Sequence, residues 1–163
     1  MAGTGKIVVG MADLKATKAP GILTTLGLGS CIGIALYDAK AKVAGLAHIM
    51  LPDSTAIHNN SNKAKFADTA LIELILQMEK LGARKINIKA KIAGGAQMFA
   101  FNATSENLRV GDRNAEATKK ALRLSGIPLL AAECGDSFGR TVELYADDGR
   151  FIIKAIGQSI RTI

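Results

Sequence analysis

The sequence predicts one α/β domain in which strands outnumber helices and several neighbouring strands are antiparallel. Short apolar segments recur between glycine-containing or polar turns, as in β-hairpins. Only two segments show the helical spacing of apolar residues. The 163 residues are 48% hydrophobic, enough for one core without disulfides or a structural metal. We therefore expect a single domain over residues 1–163, with a mixed sheet or sheets and not a doubly wound parallel sheet.

The first third of the chain is predicted to consist mainly of strands. Four strands are expected, at residues 7–9, 23–28, 32–37 and 43–49. The last two are expected to form a hairpin across the polar turn at 38–42. The segment 52–62 is rich in turn-forming residues and is expected to be a loop.

Two helices are predicted in the remaining part of the chain. Apolar residues recur at helical spacing between 63 and 81, and Gly82 is expected to end this helix. The second helix is expected to begin with Asn114 as its N-cap and to end at Gly126, since Pro128 forbids continuation. The other apolar segments are predicted strands, at residues 86–92, 129–132, 141–145 and 151–155.

Charge and cysteine content narrow the class of protein. The chain has 21 Lys and Arg against 14 Asp and Glu, and the charges are dispersed, which disfavours an acidic disordered chain or a basic tail. Two cysteines cannot form a disulfide framework, which favours a reducing compartment. The uncharged stretch 19–37 contains Pro20 and four glycines, so two buried strands explain it better than a membrane helix. We expect no signal peptide and a soluble, cytoplasmic protein.

Nucleotide, metal and nucleic-acid sites are not supported by any motif. The glycine-rich stretch 3–6 lacks the upstream glycine of a phosphate loop, and Ile32 stands where a dinucleotide fingerprint needs glycine. The histidines, His48 and His58, and the cysteines do not have short metal-ligand spacing, so we expect no cofactor and no metal. The formal charge of +7 suits a nucleic-acid-binding domain, but 4% aromatic residues provide few stacking platforms.

The segment around Cys31 has the features of a nucleophilic site. Gly-Leu-Gly-Ser before Cys31 permits a sharp turn that exposes the next side chain. If residues 38–41 form the hairpin turn, Cys31 lies opposite His48, with Cβ atoms about 4.5–5.5 Å apart. One further turn residue would place His48 opposite Ile32, diagonal to Cys31. An adjacent imidazolium would lower the thiol pKa and give a nucleophilic thiolate.

Other residues around Cys31 and His48 are candidates to support catalysis, but the pair also has a purely structural interpretation. Thr25 is a candidate to orient His48 through its hydroxyl or carbonyl, and the backbone around Gly29, Ser30 and Cys31 is a candidate to stabilise an oxyanion. The alternative is inert packing, because free cysteine is among the most buried residue types. From the residues alone, packing is the slightly stronger interpretation of the pair. It also suits Cys134, which has no glycine turn or histidine nearby in the sequence.

Several motifs in order resemble the chemoreceptor glutamine deamidase family, CheD, of bacterial and archaeal chemotaxis. They begin with Thr-Leu-Gly-Leu-Gly-Ser-Cys at 25–31 and Ala-His-Ile-Met-Leu-Pro at 47–52. They continue through Lys-Phe-Ala-Asp-Thr-Ala at 65–70, Ile-Ala-Gly-Gly-Ala at 92–96, Gly-Asp-Arg-Asn at 111–114 and Gly-Arg at 139–140. The first two motifs together are specific, whereas either alone would be weak.

The resemblance implies an α/β sandwich and a cysteine-dependent protein-glutamine glutaminase without a cofactor. It implies that Cys31 attacks a receptor glutamine, that His48 protonates the departing ammonia and that Thr25 orients His48. The implied partners are the cytoplasmic helices of methyl-accepting chemoreceptors and often the chemotaxis phosphatase CheC. The alternative function is a non-catalytic regulatory module that binds CheC or receptors. A protease would share the thioester chemistry.

Overall fold

The computed structural model describes residues 5–97 and 109–163, and these form ten strands and two α-helices. The strands are β1 (Lys6–Val8), β2 (Asp13–Lys18), β3 (Ile22–Leu28), β4 (Ile32–Asp38), β5 (Val43–Ile49), β6 (Ile88–Gly94), β7 (Leu129–Cys134), β8 (Arg140–Tyr145), β9 (Phe151–Lys154) and β10 (Arg161–Thr162). The helices are α1 (Ala67–Lys80) and α2 (Val110–Ser125).

The strands form two mixed sheets that are mainly antiparallel. Sheet A has the order β1-β3-β8-β9-β10, and in it only β1 and β3 pair in parallel among the described residues. Sheet B has the order β2-β5-β4-β6-β7, and there the parallel pair is β6 and β7. The predicted α/β class with mixed, largely antiparallel strands is therefore confirmed.

Sheet B lies between sheet A on one face and both helices on the other. Ile34 of β4 packs with Leu74 of α1 in the core on the helix side. Leu46 of β5 packs with Phe151 of β9 in the core between the sheets. Because both faces of β4 and β5 are covered, their sequences are almost continuously apolar instead of alternating.

Two strands were not predicted, and both lie at sheet edges. In β2, whose sequence is Asp-Leu-Lys-Ala-Thr-Lys, no residue is fully buried. The alternation of β2 rests on Leu14 and Ala16 alone, which is too short a signal to stand out, and the charges of such edge strands discourage pairing with another chain. The two-residue strand β10 is too short to produce a pattern.

Three predicted elements begin two or more residues away from the expected position, and β6 and β7 each end two residues later than expected, at Gly94 and Cys134. The helix expected from 63 begins at Ala67, because Asn62 caps a separate 3-10 turn at Lys63–Lys65. The strand expected from 86 begins at Ile88, and the side chain of Ile86 is 82% exposed. The second helix begins at Val110, so Asn114 is not its N-cap. Tertiary hydrogen bonds of Asn114, described below, replace the expected capping bond.

Neither helix in the described ranges is long and apolar enough to cross a membrane.

Candidate active site

Cys31 lies in the tight connection between β3 of sheet A and β4 of sheet B. The pairing of β3 is irregular between Thr25 and Leu28, where Gly27 adopts a left-handed φ of 70°. The amide of Gly29 donates to the carbonyl of Gly27 at 3.0 Å and closes the turn. Cys31 follows at the start of β4 with 8% of its surface exposed. The glycine turn thus brings the thiol to the gap between the two sheets.

The register of the hairpin places His48 opposite Gly33. Both registers considered from the sequence are therefore wrong, because Asp38 already pairs with Val43 and the four-residue turn occupies 39–42 instead of 38–41. The carboxylate of Asp38 accepts hydrogen bonds from the amides of Lys40 and Ala41 at 2.9 and 3.0 Å, which stabilises the turn in this position. Directly opposed residues share a face of the sheet, and side chains two residues apart also share it.

This register still puts Cys31 and His48 on one face. Cys31 precedes Gly33 by two positions, so the approach of the thiol to the imidazole is diagonal. Gly33 has no side chain to separate them. A Cβ at Gly33 would lie 3.0 Å from the side chain of Leu28, so this face of β4 is directed towards sheet A.

A hydrogen bond between the sheets holds the ring of His48. The hydroxyl oxygen of Thr25 lies 2.7 Å from Nδ1 of His48, and both side chains are buried. The same hydroxyl donates its only hydrogen to the carbonyl of Val9 at 2.7 Å. The oxygen of Thr25 must therefore accept the hydrogen on Nδ1. His48 is then the tautomer whose Nε2 carries a lone pair.

Nε2 of His48 has no hydrogen-bond partner within residues 5–97 and 109–163, and the thiol of Cys31 is not bonded to it. Burial raises the pKa of the Cys31 thiol, and the N–H of Cys31 itself partly offsets this effect. Burial also lowers the pKa of His48. These directions favour a neutral thiol and a neutral imidazole at rest, and not the thiolate–imidazolium pair expected from the sequence.

The carbonyl side of the glycine turn is held by three donors. The carbonyl of Gly29 accepts from the amide of Ala96 at 2.8 Å, and that of Cys31 accepts from the amide of Gly95 at 2.9 Å. The carbonyl of Ser30 accepts from the side-chain amide of Asn114 at 2.9 Å. Three consecutive carbonyls of the turn are thus fixed towards β6 and α2.

The opposite side of the turn presents amide hydrogens. In a trans peptide the C=O and the following N–H point in opposite directions. The hydrogen bonds to the carbonyls of Gly29 and Ser30 therefore direct the N–H groups of Ser30 and Cys31 away from β6 and α2. The N–H of Cys31 interacts with its own sulfur. Of the two support residues expected from the sequence, Gly29 has its own amide bonded to Gly27, so only Ser30 contributes a candidate oxyanion donor.

Known proteins share this sequence over nearly its whole length. A family model described as CheD chemotactic sensory transduction matches residues 50–155. A protein of Caldanaerobacter subterraneus subsp. tengcongensis named "probable chemoreceptor glutamine deamidase CheD" is 55% identical over 95% of this chain and 96% of its own length. This chain belongs to the CheD family.

Two further CheD relatives give similar agreement. A protein of Lachnoclostridium phytofermentans with the same name is 52% identical over 96% of this chain and 98% of its own length. The "chemoreceptor glutamine deamidase CheD" of Halalkalibacterium halodurans is 48% identical over 96% of this chain and 98% of its own. Among solved structures, the hypothetical protein YfiH of Bacillus licheniformis matches with a TM-score of 0.47 and 15% identity, covering 75% of this chain and 51% of its own.

The other cysteine and histidine of this CheD chain are separate from the pair. Cys134 lies beside Gly94 in the β6–β7 ladder, but it packs in the core on the helix side, whereas Cys31 belongs to the core between the sheets. His58 is exposed in the loop after β5. No group of three His, Cys, Asp or Glu side chains in the described part of the chain could hold a metal ion.

Two buried polar residues of the CheD site were not identified from the sequence. The side chain of Arg140 is fully buried and donates to the carbonyls of Gly94 and Gly135 at 3.4 and 3.1 Å. Asn114 donates to Met50 as well as to Ser30. In the sequence their motifs, Gly-Arg and Gly-Asp-Arg-Asn, stand out only as parts of the resemblance, because their bonding partners are distant along the chain.

Proposed function

We propose that this chain is a chemoreceptor glutamine deamidase, in which Cys31 is the nucleophile, His48 the general base and acid, and Thr25 the residue that orients His48. The observation that carries this proposal is the bond from Nδ1 of His48 to Thr25, which leaves a lone pair on Nε2 on the face shared with Cys31. The names of relatives about 50% identical over nearly the whole chain support the substrate class.

The first step forms a thioester. As the sulfur of Cys31 attacks the carboxamide carbon of a glutamine side chain, Nε2 of His48 takes the thiol proton. The carbonyl oxygen becomes an oxyanion, for which the amides of Ser30 and Cys31 are the candidate donors. The intermediate then expels the nitrogen as ammonia, which receives its third proton from Nε2. The C–N bond is broken, and the acyl group remains on Cys31.

The second step returns the enzyme to its resting state. A water molecule gives one proton to Nε2 while its oxygen attacks the thioester carbon. Collapse of this second oxyanion breaks the C–S bond, and the sulfur recovers the proton from His48. The net reaction converts glutamine and water into glutamate and ammonium, because the ammonia takes up the proton of the new carboxyl group, with neither a redox change nor a cofactor.

The neutral resting pair suits this mechanism. An unprotonated Nε2 is required to accept the thiol proton, and burial of His48 lowers its pKa and so keeps it unprotonated at neutral pH. The hydroxyl of Thr25 can only accept a hydrogen bond from Nδ1, and cannot donate one to it, because its own hydrogen is donated to the carbonyl of Val9. The ring is therefore kept in the productive tautomer in both steps.

The reaction defines the proposed setting of the protein. The substrate is the cytoplasmic portion of methyl-accepting chemoreceptors, so the protein acts in the cytoplasm. The phosphatase CheC is the proposed regulatory partner. If the protein instead acts only as a binding module for CheC or receptors, it would bind them without converting glutamine.

The test is peptide mass spectrometry of the cognate receptor cytoplasmic fragment after incubation with the protein. The wild type is expected to convert specific glutamines to glutamates. Cys31→Ala is expected to abolish conversion while retaining the circular dichroism spectrum and melting temperature of a folded protein. Cys134→Ala is the matched control and is expected to remain active, because Cys134 packs in the other core.

Three results would contradict the proposal. Conversion by Cys31→Ala at the wild-type rate would exclude Cys31 as the nucleophile. A folded wild type that binds the receptor fragment but converts no glutamine would support the regulatory module, and cleavage of the main chain would indicate a protease.

A further inference from the structure

Asn114 connects helix α2 to both segments that carry the candidate catalytic residues. Its side-chain nitrogen donates one hydrogen to the carbonyl of Ser30 and the other to the carbonyl of Met50, each at 2.9 Å. Ser30 directly precedes Cys31, and Met50 directly follows β5, the strand of His48. Both hydrogens of the amide are used, and two carbonyl acceptors fix which end of the amide is the nitrogen.

The bond to Ser30 controls the direction of another group. The carbonyl of Ser30 and the N–H of Cys31 belong to one planar trans peptide and point in opposite directions. By holding the carbonyl, Asn114 directs this N–H to the side of the sulfur. An attacking thiol places the developing oxyanion on that same side.

Asn114 is itself held firmly in place. Its side chain is fully buried in the second turn of α2, and the hydroxyl of Thr118 donates to its main-chain carbonyl at 2.8 Å. At Gly111 the helix closely approaches Gly95 and Ala96, whose amides donate to the turn: a Cβ there would lie 2.5 Å from the carbonyl oxygen of Ala96. Any side chain at this position would push α2, and with it Asn114, away from Ser30.

We propose that Asn114 is a positioning residue that aims the amide of Cys31 at the oxyanion formed during acyl transfer. It acts through the Ser30–Cys31 peptide and does not touch the substrate. The inference rests on the proposed function for its physiological substrate, whereas its chemical test needs only a carbonyl compound that acylates Cys31.

Two reagents separate the aiming of the amide from the reactivity of the thiol. With p-nitrophenyl acetate, the sulfur attacks the carbonyl carbon and an oxyanion forms. The C–O bond to p-nitrophenolate then breaks, and the acetyl group remains on Cys31 as a thioester. With iodoacetamide, the sulfur displaces iodide at a saturated carbon, and no oxyanion forms. Both reactions need an available thiol, but only the first needs the amide donor.

The comparison uses the full chain with Cys134→Ala, so that Cys31 is the one remaining thiol. In Asn114→Ala, acylation of Cys31 by p-nitrophenyl acetate is expected to fall about 100-fold, the effect of losing one oxyanion donor. Alkylation by iodoacetamide is expected to change only slightly. With the receptor fragment, kcat is expected to fall in the same proportion as acylation, with KM nearly unchanged.

Gly126→Ala is the matched control, since it strains the C-terminal cap of the same helix, where no atom lies within 4 Å of the position of a Cβ, and leaves Asn114 and Ser30 untouched. Both reaction rates are expected to stay close to wild type. If Asn114→Ala does not fold, Asn114→Ser tests the same point. Its shorter hydroxyl cannot serve both carbonyls, so selective loss of acylation is again expected.

Other outcomes decide against the inference. Equal loss of acylation and alkylation would mean that Asn114 maintains the thiol or the whole turn, and unchanged acylation would exclude the aiming role. If the ester acylates wild-type Cys31 but the receptor is not deamidated, the proposed function fails while the ratio of the two rates still decides the role of Asn114. If wild-type Cys31 is not acylated at all, both are overturned.

Discussion

Thr25 and His48 lie on different sheets, and one hydrogen bond of 2.7 Å between their side chains joins the two sheets at the candidate site. The hydroxyl of Thr25 donates its hydrogen to the carbonyl of Val9, so towards the imidazole its oxygen can only accept a hydrogen bond. A main-chain carbonyl near the N-terminus therefore determines the tautomer of His48. Thr25 therefore orients His48 through its hydroxyl and does not only fill space in the core, so removal of the hydroxyl should change the rate of catalysis.

Thr25→Val keeps the shape of the side chain but removes its hydroxyl. We expect kcat for glutamine deamidation to fall about 100-fold, because Nδ1 loses its acceptor and general acid–base catalysis contributes factors of this size. The buried donor left on His48 is also expected to cost about 1–3 kcal/mol of unfolding free energy. Thr25→Ser is the control and should retain most activity. Equal activities of the Val and Ser variants would exclude the hydroxyl as the orienting group.

The pH dependence of alkylation tests whether the resting pair is neutral. Burial raises the pKa of Cys31, so the thiolate fraction should rise only above the ordinary thiol pKa of about 8.5. The rate of iodoacetamide modification of Cys31, measured in Cys134→Ala, is therefore expected to increase steadily from neutral pH into the alkaline range. Mass spectrometry of the labelled peptide provides the rate at each pH.

A rate that is already at its plateau at about pH 6 would instead identify a thiolate–imidazolium ion pair.

Deamidase activity should be lost in acid, because protonated His48 cannot accept the thiol proton. Since burial lowers the pKa of His48, this loss is expected below its ordinary pKa of about 6.5.

Much of the fold was predictable because its main strands are short apolar segments between clear turn formers. The class, the β4–β5 hairpin and the end of α1 all follow from such local signals. The edge strand β2 was missed because its alternation rests on Leu14 and Ala16 alone, among charged and polar residues. The start of α2 was misplaced because the capping preference of Asn114 gave way to bonds with residues 84 and 64 positions away.

The candidate site was partly predictable for the same reason. A cysteine after a glycine turn and a histidine on the next hairpin strand are local features, and the predicted contact of Thr25 with His48 is present. The register was wrong because the four-residue turn lies one position later than expected, at 39–42, where the side chain of Asp38 accepts from two of its amides. The donors that hold the turn, from Gly95 and Asn114, come from elements joined only by tertiary packing.

Stability should depend on pH through His48. Its pKa is lowered in the folded protein, so below about pH 6.5 the unfolded chain binds more protons than the native one. The free energy of unfolding is therefore expected to fall on acidification from about pH 7 to 5, by up to about 1.4 kcal/mol per pH unit. Urea unfolding at several pH values measures this slope.

The two histidines supply the comparison. His48→Gln is expected to flatten the slope over this range, whatever its effect on absolute stability. His58→Gln, in an exposed loop, is expected to retain the wild-type dependence. If both variants keep the same slope, His48 is not the source of the acid sensitivity; carboxylates such as Glu143, whose burial raises its pKa but whose bonds to Lys6 and Lys154 lower it overall, add to the loss mainly near and below pH 5.

Gly94 should be intolerant of any side chain, because it adopts a left-handed φ of 115° and a Cβ there would collide with the carbonyl oxygen of Cys31. Gly94→Ala is expected to lower the unfolding free energy by about 3 kcal/mol and to displace the Cys31 turn, with loss of deamidation. Gly126, at the end of α2, has a φ of 71° but no atom within 4 Å of the position that a Cβ would take, so Gly126→Ala should cost only about 1 kcal/mol and stay active. Thermal unfolding and deamidation assays of both variants separate backbone strain, which they share, from the collision, which only Gly94→Ala has. Equal losses in the two would show that the close approach to Cys31 does not matter.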